Sequence, residues 1–187
     1  MGIVLASQSP RRQELLKRVV STFSIHVADI DEEVQPGISP IEYVQSMAAE
    51  KAASVFELFP EDQVIGCDTI VVYDDEIIGK PTSREHAFQI LQKLSGQTHM
   101  VYTAVVVMEE GRTATTVVPA EEAFYELSDD EIETYLNTGE YKDKAGAYGI
   151  QEQGALLVKG IKGDYYSIMG LPIAVLSRML KYDYEQL

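Results

Sequence analysis

Asp68 stands where an aspartate is out of place. The run Gln63-Val64-Ile65-Gly66-Cys67-Asp68-Thr69-Ile70-Val71-Val72-Tyr73 has the composition of a buried strand, and a carboxylate is disfavoured in strands and costly to bury without a partner. A metal, a cation or a catalytic task would account for it. Lys51 is a second such group. It lies seven residues after Val44, three after Ala48 and four before Val55, so it falls on or beside the apolar stripe of a helix instead of its solvated face. The third feature is the pair Arg11-Arg12 directly after Ser9-Pro10. In the first turn of a helix each arginine opposes the macrodipole by roughly 0.3–1 kcal/mol. A phosphate would compensate, because exposed N–H groups, the hydroxyls of Ser7 and Ser9 and two guanidiniums could converge on one anion.

Two more charged groups complete the set. Glu32, with Asp31 and Glu33 beside it, lies in the acidic loop 31–37, and Lys80 lies in Gly79-Lys80-Pro81. If the fold gathers these residues, Arg11, Arg12, Lys51 and Lys80 can hold anionic oxygens. Glu32 and Asp68 can then hold a hard divalent cation and take a proton from water. That chemistry is hydrolysis at phosphorus. Other phosphate-handling designs are missing: there is no G-x-x-x-x-G-K-[ST] loop and no G-x-G-x-x-G after the first strand. His26, His86 and His99 lack the spacing of zinc ligands, and His99 reads as a structural hydrogen-bonding histidine.

Elements must position these groups. "GIVLAS" reads as a strand and Ser9-Pro10 as the start of a helix carrying Leu15, Leu16, Val19 and Val20. "FSIHVADI", residues 23–30, alternates like a strand. Ser39-Pro40-Ile41-Glu42 forms a capping box for a long helix whose apolar face is Ile41, Val44, Ala48, Ala52, Val55 and Phe59. After the Asp68 strand come a turn, a short strand and a helix capped by Thr82 and Glu85, which carries Ala87, Ile90, Leu91 and Leu94. Residues 97–127 read as two long strands around "EEGR", followed by a helix from Ser128 to about Asn137. The glycine-rich segment 138–154 is the expected functional loop. "ALLVKGIKGDYYSIMG" suggests a hairpin, and Leu171-Pro172 opens a last helix.

The balance of charge narrows the partners. A formal net charge of −15 over 187 residues argues against wrapping a nucleic-acid backbone. No apolar stretch reaches membrane-spanning length, no targeting signal is legible, and the single Cys67 suits a reducing cytoplasm as a buried small hydrophobe. One domain from residue 1 to 187 is expected.

The segments "LASQSPRR", "DEE" at 31–33, "AAEKA", "VIGCDTIV", "GKP", "LSGQTHMVYTAV", "DKAGAYGIQ" and "MGLP" together resemble the Maf family of nucleoside triphosphate pyrophosphatases. The resemblance runs over nearly the full chain. It implies an α/β fold like that of the inosine triphosphate pyrophosphatases, with an elongated mixed β-sheet, flanking helices and two lobes around a deep cleft, and dimers in several members. It also implies a divalent metal (Mg²⁺, Mn²⁺ or Co²⁺) and release of pyrophosphate to leave the monophosphate. By the same resemblance Asp68 is the proton acceptor, Glu32 joins it at the metal with Lys51 as a third catalytic group, and Ser7, Arg12, Lys51 and Lys80 bind the phosphate chain. Arg11, Thr69 and Gln151 match the branch acting on dTTP and UTP, including modified uridine triphosphates, which implies cleaning of the nucleotide pool. The alternatives it leaves are the 7-methyl-GTP branch and a nucleotide-binding regulator of septum formation without turnover.

Overall fold

The computed structural model describes residues 1–34 and 36–181. In chain order the elements are β1 (Ile3–Leu5), α1 (Pro10–Leu16), β2 (Ser24–Ile25), α2 (Pro40–Phe56), β3 (Gln63–Tyr73) and β4 (Glu76–Ile78). They continue with α3 (Arg84–Leu94), β5 (Thr98–Glu109), β6 (Arg112–Phe124), α4 (Asp129–Leu136), β7 (Val158–Gly163), α5 (Tyr165–Met169) and α6 (Ile173–Met179). Two 3₁₀ turns, Ala145–Ala147 and Gln153–Leu157, lie between α4 and β7.

The strands form one mixed sheet in the order β2-β1-β3-β5-β6-β7, with β4 pairing to β3. β1 runs parallel to β2 and β3, while β3–β5, β5–β6, β6–β7 and β3–β4 are antiparallel. β3 is the central element, and successive residues on a strand face opposite sides. Val64, Ile70 and Val72 pack with Val44, Ala48, Ala52 and Val55 of α2. Ile65 and Cys67 face the other way, toward Leu15 and Leu16 of α1 and Leu171 and Leu176 near the C-terminus. A third cluster joins Val71 to α3, α4 and Tyr148. Gly66 lies under α2, where a Cβ would fall 2.2 Å from the Ala48 carbonyl oxygen. The missing side chain is what lets this helix approach the sheet.

One edge of β3 is only partly paired. β1 pairs with Gln63 to Ile65, and β4 pairs with Val71 to Tyr73. Residues 66–70 lie between them with no strand partner on that side among the described residues, and Asp68 and Thr69 are in the middle of this window. The segments that leave β1 and β4 flank it.

Four expectations from sequence need correction. The strand expected over 23–30 shrinks to Ser24–Ile25, because its partner β1 has three residues and offers nothing to pair with beyond the bond from His26 N–H to the Leu5 carbonyl. Ile41 is 44% exposed, outside the apolar face, and Phe59 lies past the end of α2. The cap of α3 is Ser83, which accepts the His86 N–H, while Thr82 engages the His86 ring. In place of a terminal hairpin, β7 pairs with β6 and Asp164 then caps the short helix α5 by accepting the Tyr166 and Ser167 N–H groups. An acceptor at that position starts a helix more readily than a second strand.

Candidate active site

A cleft of about 1060 Å³ opens at the β3 window. Arg11, Arg12, Lys51, Lys80, Lys142 and Lys144 line it, six of the chain's 15 lysines and arginines, against five of its 30 aspartates and glutamates. The acidic surface of the molecule therefore encloses a locally cationic site. All nine residues singled out from the sequence line this one cleft: Ser7, Arg11, Arg12, Glu32, Lys51, Asp68, Thr69, Lys80 and Gln151. They come from the β1–α1 loop, α1, the loop after β2, α2, β3, the turn after β4 and the loop before β7.

Lys51 joins the two carboxylates. Its Nζ lies 2.8 Å from Asp68 Oδ1 and 2.6 Å from Glu32 Oε1. The Lys51 and Asp68 side chains are 12% and 14% exposed and Glu32 is 50% exposed, so the trio runs from the core to the mouth of the cleft. Burial alone would lower the pKa of Lys51, but the charge of Asp68 and hydrogen bonds to both carboxylates outweigh it and hold it above the ordinary lysine value. Lys51 is an ammonium at neutral pH, a source of charge and not a base. For Glu32, burial pushes upward, and the hydrogen bond and charge of Lys51, with Lys80 and Arg12 adding to them, bring it below the usual carboxylate range. Tyr43 closes the back by donating to the Glu32 carbonyl at 2.7 Å. Burial, then the charges of Asp68 and Glu32, push its phenol up to about 12.

The two arginines diverge, which revises the expectation that they and both serines meet on one anion. Neighbouring residues on a helix point about 100° apart. Ser9 Oγ is used as the cap of α1, accepting the Arg12 N–H. The Arg12 side chain turns toward β3: Nε donates to the Gly170 carbonyl at 2.8 Å, Nη2 to Thr69 Oγ1 at 3.0 Å and Nη1 to Ser7 Oγ at 3.4 Å. No carboxylate among the described residues pairs with it. Arg11 turns instead to the loop before β7. A Cβ on Gly149 would meet the stem of Lys144 and, at 3.4 Å, Arg11 Nη1. Burial, then the charge of Arg12, lowers the pKa of Arg11. Burial, then the charge of Arg11, lowers that of Lys144. Two desolvated cations side by side are poised for an anion.

The loop carrying Gln151 is fixed from behind. Gly146 N–H donates to the Gly79 carbonyl, and Gly149 N–H to Tyr135 Oη. The Glu140 carboxylate accepts the N–H groups of Gln153 and Gly154, each at 3.2 Å. Gly154 is required, since a Cβ there would lie 1.9 Å from the Gly149 carbonyl oxygen. Beneath the loop, the Tyr148 hydroxyl donates to the fully buried Glu122 and lies 2.6 Å from His99 Nε2. His99 takes the structural role expected of it. Gln151 itself is exposed to the cleft. Lys144 and Tyr148 were not singled out individually from the sequence, although both fall within the glycine-rich segment that marked the loop.

Comparison with known proteins places the chain in a family. A family model described as Maf-like protein matches residues 2–182. The chain belongs to the Maf family. Curated relatives include a dTTP/UTP pyrophosphatase of Latilactobacillus sakei, 46% identical over 95% of this chain and 98% of the relative. Another dTTP/UTP pyrophosphatase, from Lacticaseibacillus casei, is 49% identical over 95% and 97%. A third, from Bacillus velezensis, is 48% identical over 96% and 95%. Among solved structures the Ham1 protein of Staphylococcus aureus superposes with a TM-score of 0.57 at 15% identity, covering 96% of this chain and 98% of that one. A HAM1 protein of Coxiella burnetii gives 0.52 at 16% identity over the same shares. These two likenesses establish the Maf chain's fold as one shared with proteins of distant sequence. No described helix is long and apolar enough to cross a membrane.

Proposed function

We propose that this Maf-family chain is a cytoplasmic, metal-dependent nucleoside triphosphate pyrophosphatase acting on dTTP and UTP, and on modified uridine triphosphates, as a cleaner of the nucleotide pool. One observation carries the reading: a buried lysine bridges two carboxylates inside a cation-lined cleft, in a chain nearly half identical to proteins named dTTP/UTP pyrophosphatases. The residues 1–187 are taken as one domain of two lobes that hold the nucleotide between them, with a homodimer as the proposed assembly.

The donor set suits a divalent cation. Asp68 and Glu32 each commit one oxygen to Lys51, and among the described residues their other oxygens have no hydrogen-bond partner. No cluster of three or more His, Cys, Asp or Glu side chains is gathered among the described residues. That accords with Mg²⁺-type binding by one or two carboxylates plus water and substrate phosphates. A cation held there would supply charge stabilisation at the phosphoryl oxygens.

The protein groups have separate tasks. Asp68 takes the proton of the attacking water, and Lys51 keeps that carboxylate oriented while adding positive charge beside the reacting phosphorus. Arg12, Lys80 and Ser7 hold the phosphate chain. Gln151 presents a donor and an acceptor together, which matches the N3–H and carbonyl edge of uracil or thymine. Arg11 and Thr69 shape the cleft beside it. The deciding measurement is product analysis from dTTP and UTP with Mg²⁺ or Mn²⁺. Monophosphate plus pyrophosphate is expected, with turnover lost on adding EDTA. Diphosphate plus orthophosphate would overturn the reaction, and binding without turnover would favour a regulatory module.

A further inference from the structure

Thr69 and Thr103 are directly opposite in the β3–β5 ladder, so their side chains share one face. Thr103 is fully buried. Its Oγ1 lies 2.7 Å from the Ser167 carbonyl oxygen and 2.8 Å from Thr69 Oγ1, which in turn lies 3.0 Å from Arg12 Nη2. The polarity of this chain is forced from both ends. A guanidinium can only donate and a carbonyl can only accept. Thr103 must therefore give its single proton to Ser167, Thr69 must give its proton to Thr103, and Thr69 is left with lone pairs directed at Arg12.

The far end of the chain is itself anchored, since the Ser167 hydroxyl donates to the Val118 carbonyl at 2.8 Å. Helix α5 thus holds Arg12 twice, through Ser167 by way of the two threonines and through the Gly170 carbonyl on Nε. Three of the five guanidinium N–H donors are committed, to Gly170, Thr69 and Ser7. These three partners leave one N–H on each terminal nitrogen, and a guanidinium offers such donors to phosphate oxygens. The Thr69 proton is committed to Thr103 and cannot be offered to a nucleobase.

We infer that Thr103, fully buried and outside the cleft lining, is a positioning residue that sets the orientation of Arg12 toward the polyphosphate of a nucleotide by acting through Thr69. This rests on reading the cleft as a triphosphate site. Its test uses inorganic tripolyphosphate with Mg²⁺, titrated calorimetrically, beside steady-state turnover of UTP. Thr103→Val keeps the side-chain volume but cannot accept the Thr69 proton. It is expected to weaken tripolyphosphate binding and raise KM by about tenfold, with a smaller change in kcat and an unchanged ranking of UTP, dTTP and CTP. Thr103→Ser should restore both. Thr69→Val should weaken tripolyphosphate binding as Thr103→Val does, and the double variant should lose no more tripolyphosphate affinity than either single one, as expected for residues acting in series. Wild-type affinity and KM in Thr103→Val would overturn the inference. So would a loss that Thr103→Ser fails to repair, or a wild-type protein that binds no tripolyphosphate. If tripolyphosphate binds and responds to Thr103→Val while UTP is not cleaved, the enzymatic reading fails and the positioning role stands.

Discussion

Asp68 and Thr69 are neighbours in the chain and face opposite sides of β3, one toward Lys51 of α2 and the other toward Arg12 of α1. On the proposed reading, a single dipeptide divides the work between the proton and the phosphate. Asp68→Asn keeps the size and one acceptor while removing the charge, so kcat for UTP should fall by on the order of a hundredfold or more. Near-normal activity in that variant would move the base to the Asp31–Glu33 loop. Gln151 tests the other end of the site. Gln151→Glu replaces the amide donor with a second acceptor, and kcat/KM for dTTP and UTP should drop much more than the unfolding free energy does, because a wrong edge leaves polar groups unpaired. An unchanged ranking of dTTP, UTP, CTP and GTP would show that Gln151 does not read the base.

At the scale of elements, α2, which carries Lys51, and α4, whose Tyr135 accepts the Gly149 N–H, are each capped at their start. Ser39 and Ser128 begin α2 and α4 with reciprocal capping boxes to Glu42 and Glu131. Hydrogen bonds from Ser39, side chain first and backbone second, lower the pKa of Glu42. For Glu131 the backbone bond of Ser128 leads and the hydroxyl follows. Each folded-state value lies below the unfolded one. The stabilisation is therefore present above the ordinary glutamate value and is lost as pH falls through the folded value. Thermal denaturation followed from about pH 7 to about pH 3.5 should show the midpoint falling, and Glu42→Gln combined with Glu131→Gln should flatten that slope. A slope identical to wild type would mean the boxes contribute nothing to acid sensitivity.

Taken whole, the molecule holds a cationic cleft inside a strongly acidic chain. Arg11 and Lys144 are partly buried and repel each other, so a triphosphate bound as proposed would relieve a cost that the free protein carries. A nucleotide present at a hundredfold its Kd should raise the melting midpoint by roughly 5–10 °C. Uridine, which lacks phosphates, should give a far smaller shift at the same concentration. Equal shifts from uridine and UTP would mean that the base, and not the cation cluster, dominates binding.

Much of this was legible in the order of residues. An aspartate within a buried strand, a lysine on an apolar helical stripe and arginines in a first helical turn are local contradictions, and each marks a group that the fold brings to the cleft. Periodicity and caps also located α2, β3, β5, β6 and α4, because those signals lie within one element. Register and partnership do not. The strand expected over 23–30 is cut short by the length of β1, which no local pattern in 23–30 encodes. The window at residues 66–70 exists only because β1 stops and β4 has not begun. Likewise Thr103 looks like any strand threonine until the sheet sets it opposite Thr69, and the two arginines separate only once α1 is docked. The sequence by itself determined which groups are the candidates for the chemistry, through residue types that conflict with their local surroundings. The tertiary structure alone decided which of them touch, because those contacts span up to 158 residues of chain and depend on strand pairing and helix docking.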